Sequence, residues 1–295
     1  MIGSVIRRAL GARQNPRILE LERRVRSAVP PLDRAAKRAY ARFREQRLVA
    51  ATRDAALRRA LLDRAPLPAG FGRGMDERLV EYAWVLARLE PARQRILDAG
   101  STLNHRWVSR HPSVRSAEVV VYTLAPEGVL GARNFSYIYG DLRDTILRDA
   151  CMDAVVCIST LEHVGLDNTA YTGEDRDAAM QPGSFVEVVR EFRRLLRPGG
   201  LLLVTVPYGQ PENLGWLQQF DAEQVAALRS AFAGQLEAED YFRHDPTSGW
   251  QRSSAAASAD ARFLWVRGKE GRAAVATMAT AIACLALRRA SGPPA

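Results

Sequence analysis

The chain has 295 residues, 47% of them hydrophobic and 25% charged, which is the composition of a globular protein and excludes an intrinsically disordered one. Its net charge of +9 is uneven, because residues 1–74 carry +12 and residues 75–295 carry −3, so a basic arm precedes a near-neutral body. Three cysteines without a CxxC pair argue against a disulfide framework or a structural zinc site and favour a reducing compartment, so we expect a cytoplasmic protein.

The basic arm is predicted to be helical. The opening MIGSVIRRAL has no apolar stretch typical of a signal peptide, so none is expected. Apolar residues at helical spacing and flanking prolines then indicate a helix over residues 32–64. Its predicted apolar face consists of Leu32, Ala36, Tyr40 and Phe43.

A glycine-rich segment, Gly70–Gly74, separates this helix from a second, amphipathic helix predicted over Met75–Leu89. It matches GxGxG, but no strand precedes it, so we expect a flexible cover over a cofactor rather than a phosphate loop. We therefore divide the chain into a basic helical N-terminal region, residues 1–74, and a body, residues 75–295.

Strands and helices alternate from residue 95 onward. The connections between the second and fourth strands are short, so helices there are expected to be short or missing. Apolar spacing predicts a helix over Ser184–Leu196, and Asp221 with Gln224 resembles a capping box. The apolar run Ala273–Leu287 is too short for a bilayer core of about 30 Å and is assigned to the protein core. The β-branched or apolar runs that predict strands are Arg95–Gly100, Glu118–Thr123, Phe135–Tyr139, Met152–Ser159 and Leu201–Val206.

Such alternation predicts a parallel sheet with helices on both faces, in which ligands bind at the carboxyl ends of the strands. At those ends, Gly100 lets a ligand approach the backbone, and the helix start that follows offers free N–H donors. Asp141, after the third strand, can accept a hydrogen bond from an exocyclic amine. The fourth strand leads into Ser159-Thr160-Leu161-Glu162-His163, and the fifth ends at Val206-Pro207-Tyr208.

In this order, LDAG, GD, DAVVCISTLEHV and LRPGGLLLVTVPYG resemble the motifs of the class I S-adenosylmethionine-dependent methyltransferases over about Arg95–Gly209. The resemblance implies an α/β fold: a Rossmann-like, doubly wound, mostly parallel seven-stranded sheet, here with an N-terminal helical extension. It also implies S-adenosylmethionine (SAM) as the cofactor. The phrases GRGMDERLVEY, LDAGSTLNH and STLEHVGLDNTAY are similar to a bacterial branch associated with surface-glycan biosynthesis, which implies a sugar hydroxyl as the methyl acceptor.

The same resemblance implies a set of cofactor-binding residues. The sequence departs from the family pattern in two places, because Thr102 and Asn104 replace the second and third loop glycines and Thr123 replaces the acid that holds the ribose hydroxyls. Glu127, Asn104 or the Gly70–Gly74 segment could supply the missing ribose contact. The predicted cofactor residues are Asp98, Gly100, Ser101, Thr102, Asn104, Thr123, Asp141, Leu142, Ser159 and Thr160.

The acceptor side of the site is assigned to the loop after the fourth strand. His163 could be the general base, a substrate or cofactor contact, or a structural residue, and Glu162 is grouped with it as catalytic. Four residues are predicted to contact the substrate: Asp167, Asn168, Tyr171 and Tyr208. No metal is expected, since the four histidines show no ligand spacing such as HExxH.

Three other functions remain open. A nicotinamide oxidoreductase would need GxGxxG after the first strand, which residues 98–104 do not provide. A nucleic-acid methyltransferase would explain the basic arm, but the arm lacks interleaved aromatic residues and no recognition domain is visible, so nucleic acid is not the expected partner. A non-catalytic scaffold with the same fold is the third. The arm itself is predicted to be a helical lid or an attachment surface, as in a peripheral contact to the inner membrane face, and the alternative is a packed helix with a solvated arginine face.

Overall fold

The computed structural model describes residues 34–173, 180–266 and 276–292. The helices are α1 (Arg34–Arg53), α2 (Ala55–Leu62), α3 (Arg78–Arg88), α4 (Arg106–Ser109), α5 (Pro112–Arg115), α6 (Thr169–Thr172), α7 (Phe185–Leu195), α8 (Ala222–Phe232) and α9 (Ala255–Ser258), and a 3₁₀ turn covers Leu161–His163. The strands are β1 (Arg95–Ala99), β2 (Glu118–Thr123), β3 (Phe135–Tyr139), β4 (Met152–Ile158), β5 (Leu196–Pro207), β6 (Glu212–Asn213), β7 (Gln218–Gln219), β8 (Gln235–Asp245), β9 (Gly249–Ser253), β10 (Phe263–Val266), β11 (Ala276–Ala279) and β12 (Ala281–Arg288).

The central sheet has the order β3-β2-β1-β4-β5-β12-β8-β9. The first five of these strands are parallel, and β12, β8 and β9 are antiparallel to their neighbours. The predicted Rossmann-like fold is confirmed, with eight strands rather than seven because β9 folds back on β8 as an additional edge strand. The fourth strand lies beside the first, with Ile96 paired to Ala154, so the loops after β1 and β4 open side by side.

Both faces of the sheet are covered by buried apolar side chains. The predicted helices α7 and α8 cover one face, and the capping box between Asp221 and Gln224 is present at the start of α8. On the other face, the core includes Leu79 and Trp84 of α3 and Trp250 of β9. As predicted, no helix occurs between β2 and β4, a stretch that the structure describes completely.

The N-terminal helix differs from its prediction in two ways. It is split at Asp54, whose carboxylate accepts hydrogen bonds from the backbone N–H groups of Ala56 (2.9 Å) and Leu57 (3.0 Å) and so starts α2. The predicted apolar face is wrong where it can be checked, because Tyr40 and Phe43 are each 51% exposed. The first part of α1 carries these exposed rings, and the buried leucines lie further along the chain. Leu32 and the side chain of Ala36 fall outside the described residues.

Helix α3 is buried on all sides rather than amphipathic as predicted. Every residue from Leu79 to Ala87 is buried, because α1 and α2 pack on the face that the sheet leaves uncovered. Side chains link these layers: Arg44 Nε lies 2.7 Å from Asp76 Oδ2, and Arg252 Nε donates to the Ala65 carbonyl at 3.2 Å. The described part of the N-terminal region is thus packed on the body, and the domain boundary at residue 74 stays a prediction.

The Gly70–Gly74 segment forms tight turns. Gly70, Gly72 and Gly74 have φ values of +70°, +64° and +72°, a left-handed backbone that favours glycine. The backbone N–H of Trp250 donates to the Phe71 carbonyl at 2.7 Å, so the segment is held against the edge strand β9. These contacts support a rigid connector between α2 and α3 and give no support to the predicted flexible cover.

The apolar run near the C-terminus is part of the core, as expected, and its described residues are extended. Its described part forms β11 and β12, and β12 lies between β5 and β8 with seven consecutive buried residues from Ala281 to Leu287. Within the described ranges, no helix is both long enough and apolar enough to cross a membrane.

Candidate active site

The loop after β1 is shaped by a buried carboxylate. Asp98 is fully buried, and its oxygens accept hydrogen bonds from the backbone N–H groups of Thr102 (2.9 Å) and Leu103 (2.8 Å) and from the Thr102 hydroxyl (3.1 Å). Burial raises the pKa of the Asp98 carboxyl to about 7, although these hydrogen bonds favour the charged form. The side chain therefore fixes the path of the loop.

Gly100 brings this loop against the end of β4. Its φ is +100°, and a Cβ built on it would lie 2.6 Å from Thr160 Cγ2. The Thr160 hydroxyl donates to the Ala99 carbonyl at 3.1 Å, so the two strand ends are in direct contact. Ser101, with φ +64°, continues the left-handed turn without the help of a glycine.

Asn104 ties the loop after β1 to its neighbours. Its amide nitrogen donates to the Gly128 carbonyl at 2.8 Å and to the Ser101 hydroxyl at 3.2 Å. Its amide oxygen accepts from the Tyr137 hydroxyl at 2.9 Å. The substituted position thus connects the β1 loop to the segment between β2 and β3.

At the end of β2, a carboxylate lies beside Thr123. The Thr123 hydroxyl donates to Glu127 Oε1 at 3.4 Å, and Glu127 itself is exposed. Of the three substitutes considered from the sequence, Glu127 is the one that places a carboxylate at this strand end.

After β3, Asp141 lies in a partly exposed turn. The Arg143 guanidinium contacts its carboxylate at 2.6 Å, and the Arg143 N–H donates to the same group at 2.9 Å. The hydrogen bond to Asp141 raises the pKa of Arg143. Leu142 is buried beside it, so an apolar side chain and a carboxylate meet at this strand end.

Two residues that the sequence analysis missed support the end of β4. Glu81 of α3 is fully buried and accepts hydrogen bonds from the Ser159 hydroxyl (2.5 Å) and the Thr205 hydroxyl (2.7 Å). Arg78 pairs with Glu81 at 3.2 Å and donates to the Ile158 carbonyl at 3.2 Å. A signal was available, since Glu81 is the one acidic residue in the otherwise apolar stretch LVEYAWVLA.

Glu162 lies in the 3₁₀ turn after β4. It is 2% exposed, and its Oε2 atom has no hydrogen-bond partner among the described residues. Burial raises the pKa of its carboxyl to about 8, with the charge of Arg78 opposing that shift. Burial thus favours the neutral form of the Glu162 carboxyl.

His163, in the same turn, is held in one tautomer. Its Nδ1 atom lies 2.7 Å from the Trp216 carbonyl. Because a carbonyl only accepts, Nδ1 carries the proton and Nε2 presents a lone pair. Burial lowers the pKa of His163 to about 4, so the ring is neutral at physiological pH. The Trp216 ring also stacks on the His163 ring, with centroids 5.4 Å apart, and the Tyr171 ring meets it edge-on at the same centroid distance of 5.4 Å. No motif in the sequence pointed to Trp216.

The four predicted substrate residues have different surroundings. Asp167 accepts from the Thr169 N–H at 2.9 Å, and the Asn168 amide donates to the His163 and Leu166 carbonyls at 3.1 Å each, so both stabilise the loop. Tyr171 is 53% exposed next to His163.

Tyr208 is 1% exposed and packs against Tyr241 in the core, with ring centroids 4.8 Å apart. This placement gives no support to a substrate contact by Tyr208. Across the described residues, no three His, Cys, Asp or Glu side chains are grouped to hold a metal ion.

Comparisons with known proteins agree with this architecture. The family described as "Methyltransferase domain" matches residues 97–204. The ubiquinone biosynthesis O-methyltransferase of Xanthomonas axonopodis pv. citri (strain 306) is 30% identical over 184 residues, which cover 59% of this chain and 67% of that protein.

Two solved structures are also similar. A SAM-dependent methyltransferase from Methanosarcina mazei has a TM-score of 0.43 at 10% identity, covering 70% of this chain and 97% of its own. The 1,6-didemethyltoxoflavin-N1-methyltransferase of Burkholderia thailandensis has a TM-score of 0.42 at 13% identity, covering 88% and 92%. On the family match and the Xanthomonas relative, the chain belongs to the class I SAM-dependent methyltransferases, and SAM is its cofactor.

Proposed function

We propose that this enzyme methylates a hydroxyl oxygen, with His163 Nε2 accepting the hydroxyl proton. The observation that carries the proposal is the hydrogen bond of His163 Nδ1 to the Trp216 carbonyl, which leaves Nε2 unprotonated beside the partly exposed Tyr171. SAM supplies a methyl group on a sulfonium, which departs as a neutral thioether. The acceptor oxygen gains the methyl group, and its proton passes to Nε2, so no metal is needed.

The residues at the strand ends fit this cofactor. An exposed carboxylate at Glu127, next to Thr123, suits two ribose hydroxyls. Asp141 with Leu142 suits the exocyclic amine and the flat face of adenine. The loop that Asp98 shapes suits the methionine part through the backbone at Gly100. The remaining predicted cofactor residues lie on the loops after β1 and β4: Ser101, Thr102, Asn104, Ser159 and Thr160.

A sugar hydroxyl of a surface glycan is the first candidate acceptor, on the similarity of three sequence phrases to glycan-biosynthesis methyltransferases. The stacked pair of His163 and Trp216 would provide a flat wall for a sugar ring. The polar loop contributes less than its composition suggested, because Asn168 and one oxygen of Asp167 are used within the loop.

A phenolic hydroxyl is the second candidate, and the strength of the base favours it. A ring whose pKa is lowered to about 4 is a weak base. A phenol, with a pKa of about 10, gives up its proton far more readily than an aliphatic hydroxyl, whose pKa is nearer that of water at about 15.7. The name of the Xanthomonas relative, a ubiquinone biosynthesis O-methyltransferase, is consistent with a ring hydroxyl.

The test is turnover of His163→Gln on a panel of glycan sugars and substituted phenols, each with SAM. We expect kcat on the true acceptor to fall by about 10²–10⁴-fold while SAM affinity stays near wild type. In the wild type, kcat should hold as the pH is lowered until it approaches about 4, where Nε2 becomes protonated. His244→Gln, a change on the β8 strand, is the matched control and should leave kcat unchanged.

Wild-type kcat for His163→Gln on an acceptor that the enzyme methylates would remove the base assignment. A parallel loss of SAM affinity and turnover would instead make His163 a cofactor-positioning residue. Preference for a phenol over every sugar would reject the glycan acceptor, and the reverse would reject the phenol.

A further inference from the structure

Among the residues that the structure describes, the amino-terminal half of α1 carries an exposed surface of aromatic and basic side chains. Tyr40 and Phe43, one helical turn apart, are each 51% exposed. Arg38, Arg42 and Arg47 on the same stretch are exposed as well. Glu45 is the one acidic residue in α1, so the surface combines aromatic rings with a strong positive charge.

This surface lies beyond the open end of the sheet. Arg44 pairs with Asp76, which comes just before α3, and the first residue of α3, Arg78, donates to the carbonyl of the last residue of β4. Arg44 is therefore at the carboxyl edge of the sheet. Burial lowers the pKa of His105 in the β1 loop, and the charge of Arg44 lowers it further, which agrees with this position.

The rest of α1 leads away from that edge. Near its end, the Thr52 carbonyl oxygen lies 3.2 Å from Nε2 of His111, which lies between α4 and α5. Helix α2 follows, and its Leu61 carbonyl accepts a hydrogen bond from Arg88 at the far end of α3. The ten residues of α1 before Arg44 span about 15 Å of helix and lie on the side of Arg44 away from Thr52. Tyr40 and Phe43 are therefore on the same side of the molecule as the edge on which the cofactor loops open.

We propose that this half of α1 binds an anionic membrane surface and turns the open edge of the sheet toward it. Aromatic residues in line along a helix, flanked by arginines, are typical of helices that lie in the bilayer interface. Each arginine near an anionic leaflet strengthens binding about fivefold. An acceptor held in or near the membrane would then meet the site directly.

Vesicle flotation with the full-length chain tests the proposal and uses neither acceptor nor turnover, so it stands apart from the role of His163. The wild type should float with vesicles of phosphatidylcholine containing about 30% phosphatidylglycerol and not with phosphatidylcholine alone. About 0.5 M salt should release it, because screening removes most of the attraction of the arginines.

Two matched pairs of variants identify the surface. Phe43→Ser should weaken partitioning about tenfold, since one aromatic ring no longer enters the interface. Ile146→Ser removes an apolar side chain that is 80% exposed between β3 and β4 and should float like the wild type. Arg42→Glu should weaken partitioning by at least about tenfold, whereas Arg93→Glu, at the opposite end of the sheet, should not.

Unchanged flotation of Phe43→Ser, or equal flotation on neutral vesicles, would overturn the proposal. The proposal would also fail if Phe43→Ser lost binding to immobilised RNA while its flotation stayed the same. That result would make α1 a nucleic-acid surface. Each variant is expected to fold, because the substituted side chains are exposed and lie outside the core. SAM binding and the unfolding temperature of each variant check this.

Discussion

The two halves of the proposed site are supported in different ways. In the β1 loop, Asp98 bonds residues four and five positions further along the chain. At the end of β4, Ser159 depends on Glu81, 78 residues earlier, and His163 on Trp216, 53 residues later. The Asp98 turn of the cofactor half is thus encoded locally, whereas the end of β4 and the loop after it depend on how α3 and the loop before β7 pack against them.

The largest expected effect breaks the long-range half. Glu81→Ala leaves Arg78 and the hydroxyls of Ser159 and Thr205 without their shared acceptor. Removing one partner of such a buried pair costs about 3–5 kcal/mol, so urea unfolding should show a loss of that size. Glu90→Ala, an exposed change just past α3, should stay within about 0.5 kcal/mol. Wild-type stability for Glu81→Ala would show that α3 does not support the end of β4.

The next effect targets the contact between the two halves. Gly100→Ala places a methyl group against Thr160 at a left-handed φ, so the β1 loop must shift away from β4. We expect SAM affinity, measured by calorimetry, to fall about a hundredfold, with a stability loss of about 1–3 kcal/mol from backbone strain.

Gly128→Ala is the control for that change, because open space surrounds Gly128 and its backbone needs no glycine. Unchanged SAM affinity in Gly100→Ala would mean that Thr160 moves aside and that the close approach of the two loops is not needed for binding.

The division between local and long-range support explains what could be predicted from the sequence. Strand patterns and the capping box at Asp221 depend on neighbours along the chain, so their residue types indicated them. The partners of Glu81 and Trp216 depend on how distant elements meet, and no spacing encodes that.

The errors have the same origin. Helical periodicity put Tyr40 and Phe43 on an apolar face, but burial also requires a partner, and that part of α1 leaves both rings half exposed. Tyr208 follows a strand as a ligand contact would, yet its ring packs against Tyr241 in the core. Periodicity and position along a strand predict the direction in which a side chain points. Whether that side chain is exposed depends on what packs against it.

The smallest expected effect sharpens the comparison within the local half, at the ribose contact. If the Glu127 carboxylate replaces the missing acid at Thr123, Glu127→Gln should weaken SAM binding about tenfold, the value of one hydrogen bond to a charged group. Thr123→Asp added to Glu127→Gln restores a carboxylate at the strand end and should recover most of that affinity. Glu118→Gln, at the other end of β2, is the matched control and should bind SAM like the wild type. Wild-type affinity for Glu127→Gln would show that Asn104 or a backbone group meets the ribose instead, and a double variant no tighter than Glu127→Gln would show that the end of β2 is not the ribose contact. Recovery of SAM affinity in the double variant would show that Glu127 makes the ribose contact that an acid at position 123 makes in the family pattern.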